Sequence, residues 1–245
     1  MKILGIIPSR YASTRFPGKP LAIIDGKSMI RRVYEQASKS GLLTKVIVAT
    51  DDERIFRHVE DFGGKVLMTS SDHLNGTSRC WEVVSQSDES YDAVINIQGD
   101  EPFIEPEQIN QLAKLFENSK VEIATLTKKI DKKEDIFNPN VVKVVFDVNK
   151  KALLFSRQAI PFLRGIKQEN WLNRQAFYKH IGIYGYRKDV LKNLVKLLPT
   201  DLEQAENLEQ LRWLENGFQI NLEITAFEGV SIDTPEDLLK LTNSA

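Results

Sequence analysis

The residues most able to do chemistry lie in the stretch Ser9-Arg10-Tyr11-Ala12-Ser13-Thr14-Arg15-Phe16-Pro17-Gly18-Lys19-Pro20-Leu21, which follows an apolar run from Ile3 to Pro8. It carries cations at Arg10, Arg15 and Lys19, hydroxyls, and glycine- and proline-marked turns. Fixed positive charge and backbone N–H groups just past a strand suit a polyphosphate. A solvated basic loop accounts for the same residues. A second stretch, Asn96-Ile97-Gln98-Gly99-Asp100-Glu101-Pro102, presents two carboxylates at a strand end, with Gly99 permitting close backbone approach. A carboxylate plus substrate phosphates is the usual way to hold Mg²⁺, which keeps much of its water shell. Capping the turn before Pro102 is the other reading of Asp100. Asp233 is a second candidate carboxylate. In Thr234-Pro235-Glu236-Asp237, Thr234 serves as helix N-cap, Pro235 as first helical residue and Asp237 as partner in a capping box, which leaves Asp233 without a structural job.

The remaining polar stretches are less pointed. Asp72-His73-Leu74-Asn75-Gly76-Thr77-Ser78-Arg79 opens a helix that Asn75 or Thr77 can cap. Arg79 or the backbone here could meet a base or ribose, and an ordinary turn explains it equally. Cys80 and Trp81 read as helix packing. The histidines are too scattered for a metal site: His58 is expected to face solvent from a charged helix, and His180 either faces a ligand or packs. Glu206 to Arg212 reads as a solvated helix face. A P-loop is excluded, because Gly18-Lys19 is followed by Pro20 and Ser13 stands where that motif requires glycine.

These residues need a scaffold, and the first part of the chain alternates apolar runs with helical patterns, as a doubly wound parallel sheet does. Strands are predicted at Ile3–Pro8, Lys45–Thr50, Lys65–Met68, Ala93–Gly99 and Ile123–Ile130. Helices are predicted near Met29–Ser40, Asp52–Phe62, Thr77–Ser85 and Pro106–Asn118. Ligands of such sheets sit outside the strands' carboxyl ends, where the loops above emerge. After Asp131 the pattern becomes partly antiparallel, with strands at Val141–Phe146, Ala152–Phe155 and Ile181–Tyr186 and an irregular, mobile loop from Phe162 to Gln175. Helices follow at Lys188–Lys196 and Leu202–Glu215, then a strand at Ile220–Thr225. One α/β domain, 1–245, is expected, with a β-rich insertion at about 131–187.

The motifs taken together resemble the CMP-Kdo synthetases, or 3-deoxy-manno-octulosonate cytidylyltransferases. The resemblance runs from Ile7 to Leu239. It rests on Ile7 to Arg10 with Ser13 to Leu21, Ala49-Thr50-Asp51-Asp52, Asn96 to Pro102, Phe137 to Asn140 with Val142 to Val145, and Phe155-Ser156-Arg157. His180 to Arg187, Leu208 to Arg212 and Asp233 to Asp237 complete it. It implies a Rossmann-like, nucleotide-diphospho-sugar transferase type of sheet and the reaction of CTP with the sugar acid Kdo to give CMP-Kdo and pyrophosphate, with Mg²⁺. By the same resemblance Arg10 and Lys19 hold the triphosphate with Ser13 and Arg15 nearby, and Thr50, Asp51, Gly76, Thr77 and Arg79 line the cytidine side. Asp100 and Asp233 bind the metal, while Gln98, Arg157, His180, Tyr184, Glu209 and Gln210 face the sugar acid. A homodimer formed through the inserted strands and a place in lipopolysaccharide biosynthesis are implied too. The chain departs from the family at one point, with Asn75 and Ser78 where a serine and a carboxylate are usual. Related sugar acids (8-amino-Kdo, sialic acid) and a non-catalytic nucleotide sensor on the same fold are the competing functions.

Composition limits the partners. Lys+Arg 33 against Asp+Glu 34 gives formal net charge -1, so any phosphate must be held by a local cluster rather than an overall field, and no nucleic acid is expected. The single cysteine excludes an internal disulfide framework and suits a reducing compartment. No apolar stretch approaches the ~20 residues of a membrane span, and no signal peptide is apparent. A cytoplasmic protein is expected.

Overall fold

A computed structural model describes residues 1–12, 16–229 and 231–242, the last three by backbone alone. Along the chain come β1 (Ile3–Ser9), β2 (Ile23–Ile24), β3 (Lys27–Ser28), α1 (Met29–Ser38), β4 (Lys45–Thr50), α2 (Glu53–Asp61), β5 (Val66–Met68), α3 (Gly76–Ser85), β6 (Ala93–Asn96) and α4 (Pro106–Leu115). Then follow β7 (Ile123–Lys129), α5 (Lys133–Phe137), β8 (Lys143–Phe146), β9 (Ala152–Ser156), α6 (Trp171–Arg174), β10 (Tyr178–Arg187), α7 (Lys188–Leu194), α8 (Asp201–Glu206), α9 (Glu209–Glu215), β11 (Ile220–Ile224) and α10 (Pro235–Thr242). They fall into two compact units, Met1–Lys114 with Gly229–Ala245, and Leu115–Glu228. The segment expected as an insertion, 131–187, lies inside the second. The α/β class and mostly parallel sheet with flanking helices are as expected.

In the first unit β1 runs parallel between β4 and β6, and β5 adds parallel to β4. Ile3, Leu4, Ile6 and Ile7 are all but fully buried, as a central strand covered on both faces requires. Register places Ser9 beside Thr50 and Ile6 beside Asn96, so the loops after these strands leave from one edge of the sheet. The hairpin β2–β3 turns through Asp25 (φ 44) and Gly26 (φ 77), the left-handed pair a tight two-residue hairpin demands. It ends at Ser28, whose side chain caps α1 by accepting from Arg31 N. His58, expected to face solvent, is instead half-buried, 2.6 Å from Ser28 Oγ and edge-on to Phe62. No helix among the described residues is long and apolar enough to cross a membrane.

In the second unit the long strand β10 pairs antiparallel with β7, and with β8 at Lys179–Lys143; β8 pairs with β9 and β11 adds parallel to β7. Two expectations are corrected here. The segment from Phe162 to Gln175 is not an irregular loop: it holds a 3₁₀ turn at Gln168–Asn170 and α6. Trp171 anchors it, stacking on Phe177, donating to Ile166 O at 3.0 Å and joining a small core with Ile130 and Ile136. The helix predicted over Leu202–Glu215 is two helices. Asn207 takes the left-handed conformation (φ 49, ψ 52) and ends α8, so Glu209 starts a new helix.

That break yields a prediction. Asn207→Ala should cost up to about 1 kcal/mol, since alanine keeps the Cβ but lacks the short polar side chain that lets asparagine tolerate the left-handed region, whereas Asn207→Gly, with no Cβ, should be no less stable than wild type. Urea midpoints of the three proteins check it, and an alanine variant as stable as wild type would contradict the left-handed cap.

Candidate functional site

Lys19 is where the polar loops of the first unit meet. Its position is set by a turn: Gly18 sits at φ 72 with its N–H on Tyr11 O at 2.9 Å, and Lys19 opens a 3₁₀ turn whose Pro20 is buried. From there Lys19 Nζ reaches Asp100 Oδ2 at 2.8 Å and Asp233 Oδ1 at 3.4 Å. Asp100 rides on a loop pressed against β1. A Cβ on Gly99 would lie 3.0 Å from both Pro8 O and Ser9 Oγ, so only glycine allows this approach. Asp233 is brought in by a single backbone bond, Ile232 N to Asp100 O at 3.0 Å, and by the burial of Ile232 with Ile24 and Met29. The capping box beside it forms as expected: Asp237 Oδ2 accepts from the N–H groups of Asp233 and Thr234, and Thr234 Oγ1 accepts from Asp237 N. A polar cavity of about 460 Å³ surrounds these groups, lined also by Ser9, Arg10 and Gln98. Arg10 is exposed and makes no ion pair among the described residues. Ser13 and Arg15 lie outside the described residues.

The predicted cytidine-side residues form a second, tighter group. Arg79 is 1% exposed, donating to Asp51 Oδ2 at 2.8 Å and to Thr69 Oγ1. Thr69 in turn donates to Thr50 O, and Thr50 Oγ1 accepts from Asp52 N. The guanidinium is thus engaged with the protein itself and fixes Asp51 and the end of β4. Asn75 caps α3, its Oδ1 accepting from Ser78 N at 2.9 Å. Thr77 is buried in the first turn of α3, and a Cβ on Gly76 would come within 3.1 Å of the Asn96 amide.

In the second unit, His180 and Tyr184 lie on β10 across an irregularity in its pairing, their ring centroids 5.0 Å apart. His180 Nε2 is 3.0 Å from Thr125 Oγ1, with Phe155 edge-on to the ring. Although the imidazole keeps some exposure, desolvation lowers it from the usual 6.5 to about 3. The Tyr184 hydroxyl is buried without a hydrogen-bond partner among the described residues, and burial, then Tyr186 and Glu209, push it well above the ordinary tyrosine value. Glu209 is half-buried and Gln210 buried in the first turn of α9, not on the solvated face that the helical pattern alone suggested. Arg157 donates to the carbonyls of Glu206, Asn207 and Pro139, so its guanidinium caps the end of α8.

Similarity to known proteins covers nearly the whole chain. The family model described as cytidylyltransferase matches residues 4–224. The 3-deoxy-manno-octulosonate cytidylyltransferase of Cytophaga hutchinsonii is 52% identical over 100% of this chain and 98% of its own length. That of Parabacteroides distasonis is 54% identical over 98% of this chain and 96% of its own. The chain belongs to this family. A solved structure of CMP:2-keto-3-deoxy-manno-octonic acid synthetase, complexed with CTP, superposes with a TM-score of 0.92 at 41% identity, covering 100% of this chain and 98% of that one.

Against this cytidylyltransferase background, several polar residues take places that motif reading did not assign them. Among the described residues Ser9 Oγ and Asn96 Oδ1 are buried without partners, Ser9 on the wall of the cavity itself. Glu101 is buried next to Asp100, and desolvation, then the Asp100 charge, push its carboxyl up to about 7. Glu206 positions Arg157 by accepting from its backbone N–H and from Ser156 Oγ. Lys143, fully buried, donates to the carbonyls of Asn138, Val141 and Arg157. Its signal in the sequence was a lone lysine inside Val141-Val142-Lys143-Val144-Val145. Among the described residues no three of His, Cys, Asp and Glu gather as a metal cluster.

The lowered His180 gives a pH prediction. Between its native value of about 3 and the usual 6.5, the unfolded chain takes up a proton that the native protein does not. Stability should therefore fall as pH drops through this window. His180→Gln should lose less stability than wild type between about pH 7 and pH 5; equal losses in urea titrations would contradict the assignment.

Proposed function

We propose that the protein is a cytidylyltransferase that activates Kdo (3-deoxy-D-manno-octulosonate) with CTP, giving CMP-Kdo and pyrophosphate, in the cytoplasm and for lipopolysaccharide biosynthesis. The observation that carries this reading is the meeting of Lys19, Asp100 and Asp233 in one polar cavity, on a chain more than half identical, end to end, to relatives named for that activity. The chemistry joins two anions, so neutralising charge and holding the reactants in line should dominate the rate. The anomeric hydroxyl attacks the α-phosphorus and pyrophosphate leaves. Arg10 and Lys19, with Ser13 and Arg15, are read as stabilising the charge that gathers on the leaving phosphates. Thr50, Asp51, Gly76, Thr77 and Arg79 shape the cytidine side, Asp51 held in place by Arg79. Gln98, Arg157, His180, Tyr184, Glu209 and Gln210 take the sugar acid, for which the unpartnered Tyr184 hydroxyl is a ready donor.

The donor set fits Mg²⁺. Asp100 and Asp233 are hard oxygen ligands already drawn toward one cation, and two carboxylates completed by phosphate oxygens and water are what this ion accepts. When bound, the ion supplies charge neutralisation and Lewis-acid polarisation of the phosphate oxygens. Asp100 and Asp233 hold it, and Gly99 and Ile232 keep those carboxylates in place. A homodimer through the inserted strands is part of the same reading, and Leu153, on β9 within that segment, is an exposed apolar side chain there.

Asp100→Asn should stay folded and lose at least the roughly tenfold to hundredfold that weakening a metal's surroundings costs, measured as pyrophosphate release at saturating Mg²⁺. Near-normal turnover would remove Asp100 from the site. A panel of Kdo, 8-amino-Kdo and sialic acid with CTP should show highest turnover with Kdo; preference for another acid would move the specificity, and CTP binding without turnover would leave a nucleotide sensor.

A further inference from the structure

We propose that Lys19 is an exchangeable counter-ion: it pairs Asp100 with Asp233, holds divalent cations off them in the nucleotide-free protein, and hands them over as the triphosphate draws its ammonium away. The inference rests on the reading of Asp100 and Asp233 as metal ligands.

Two carboxylates from loops far apart in sequence converge on one ammonium, 2.8 and 3.4 Å away. Like charges brought this close repel unless a cation stands between them, and here that cation belongs to the protein. The side chain of Lys19 is 16% exposed and that of Asp100 26%, so solvent screens the nearer pair only in part. A divalent ion seeking the same oxygens must displace the ammonium first. The anchoring of Lys19 makes displacement feasible. Its backbone is fixed by the Gly18 turn and the buried Pro20, while its flexible four-carbon stem ends in a compact point charge. The same cavity is lined by Arg10, which has no ion pair among the described residues and is placed to attract a polyphosphate.

The exchange leaves each anionic partner with a counter-charge. The carboxylates lose an ammonium and gain a divalent cation, and the triphosphate gains the ammonium. Cation and nucleotide binding are then coupled, and by linkage each raises the other's affinity by the same factor. An arginine would serve less well for the handover, since its planar fork binds carboxylates in two-point geometry and is harder to detach.

The test is titration of the nucleotide-free protein with Mn²⁺, reading free ion by electron paramagnetic resonance. Lys19→Met should bind Mn²⁺ roughly tenfold or more tightly than wild type, since a nearby positive charge is lost. Lys19→Arg should stay as weak as wild type, and adding Asp100→Asn to Lys19→Met should abolish the gain. Lys19→Gln, with folding checked by circular dichroism, serves if the methionine variant does not fold. Unchanged Mn²⁺ affinity in the folded neutral variants, or an equal gain in Lys19→Arg, overturns the proposal. If Asp100→Asn still loses turnover in that case, only the counter-ion role has failed. Normal turnover in Asp100→Asn would mean that the metal reading beneath it has failed too.

Discussion

Two carboxylates in a partly enclosed cleft repel one another, and much of the first unit serves to let Asp100 and Asp233 share a cation. Lys19 must stand at a fixed point, which the left-handed Gly18 and the following 3₁₀ turn provide. Asp100 must come close to β1, which the missing side chain at Gly99 permits. Asp233 must be carried from the far end of the chain, through the Ile232 N to Asp100 O bond and the burial of Ile232 against Ile24 and Met29. A charge-assisted hydrogen bond is worth about 1.5–3 kcal/mol when well enclosed, and less where water reaches it. Asp233 is 42% exposed, so its bond to Lys19 is the weaker one, and its position depends chiefly on the apolar contacts of Ile232 and on the capping box.

Away from this cleft, the protein encloses cations for structural ends. Lys143 is fully buried, and burial lowers its amine below the ordinary lysine value; three carbonyls then take its donors. Those carbonyls belong to Asn138, Val141 and Arg157, so the lysine ties together the chain on both sides of the β8–β9 hairpin. Arg79 does the same for β4 and α3, meeting Asp51 and Thr69 where water is excluded. Removing either cation would cost the charge-assisted hydrogen bonds it makes to these partly enclosed oxygens.

How much of this was legible in the residues follows from the range of the forces involved. Periodicity and caps act within a few residues, so β1, β4 and α1 were readable nearly to their ends, and the start of α10 with its Thr234–Asp237 box was readable outright. Side-chain type marked Lys19, Asp100 and Asp233 as chemically able. That they meet is a consequence of backbone approach between distant segments, which no local pattern encodes. The misreadings have the same origin. Leu202 to Glu215 is helical in pattern, and only one residue in the left-handed region, a non-glycine, breaks it. The Phe162–Gln175 stretch looked irregular because its order depends on Trp171 finding Phe177.

The break at Asn207 also explains why a helical wheel misjudged Glu209 and Gln210. As the start of α9 they have first-turn N–H groups nearby and belong to an end rather than a face. Asn75 likewise belongs to a helix end. Its side chain already accepts from Ser78 N, so the amide serves the helix start as serine would. The space at Gly76, next to it, is the tighter constraint. A Cβ there would lie 3.1 Å from the Asn96 amide nitrogen, so that side chain would have to give way, and its Oδ1 is buried without a partner among the described residues. The constraint on that loop is therefore the floor formed by Gly76 and Asn96, and the cap that Asn75 provides acts independently of it.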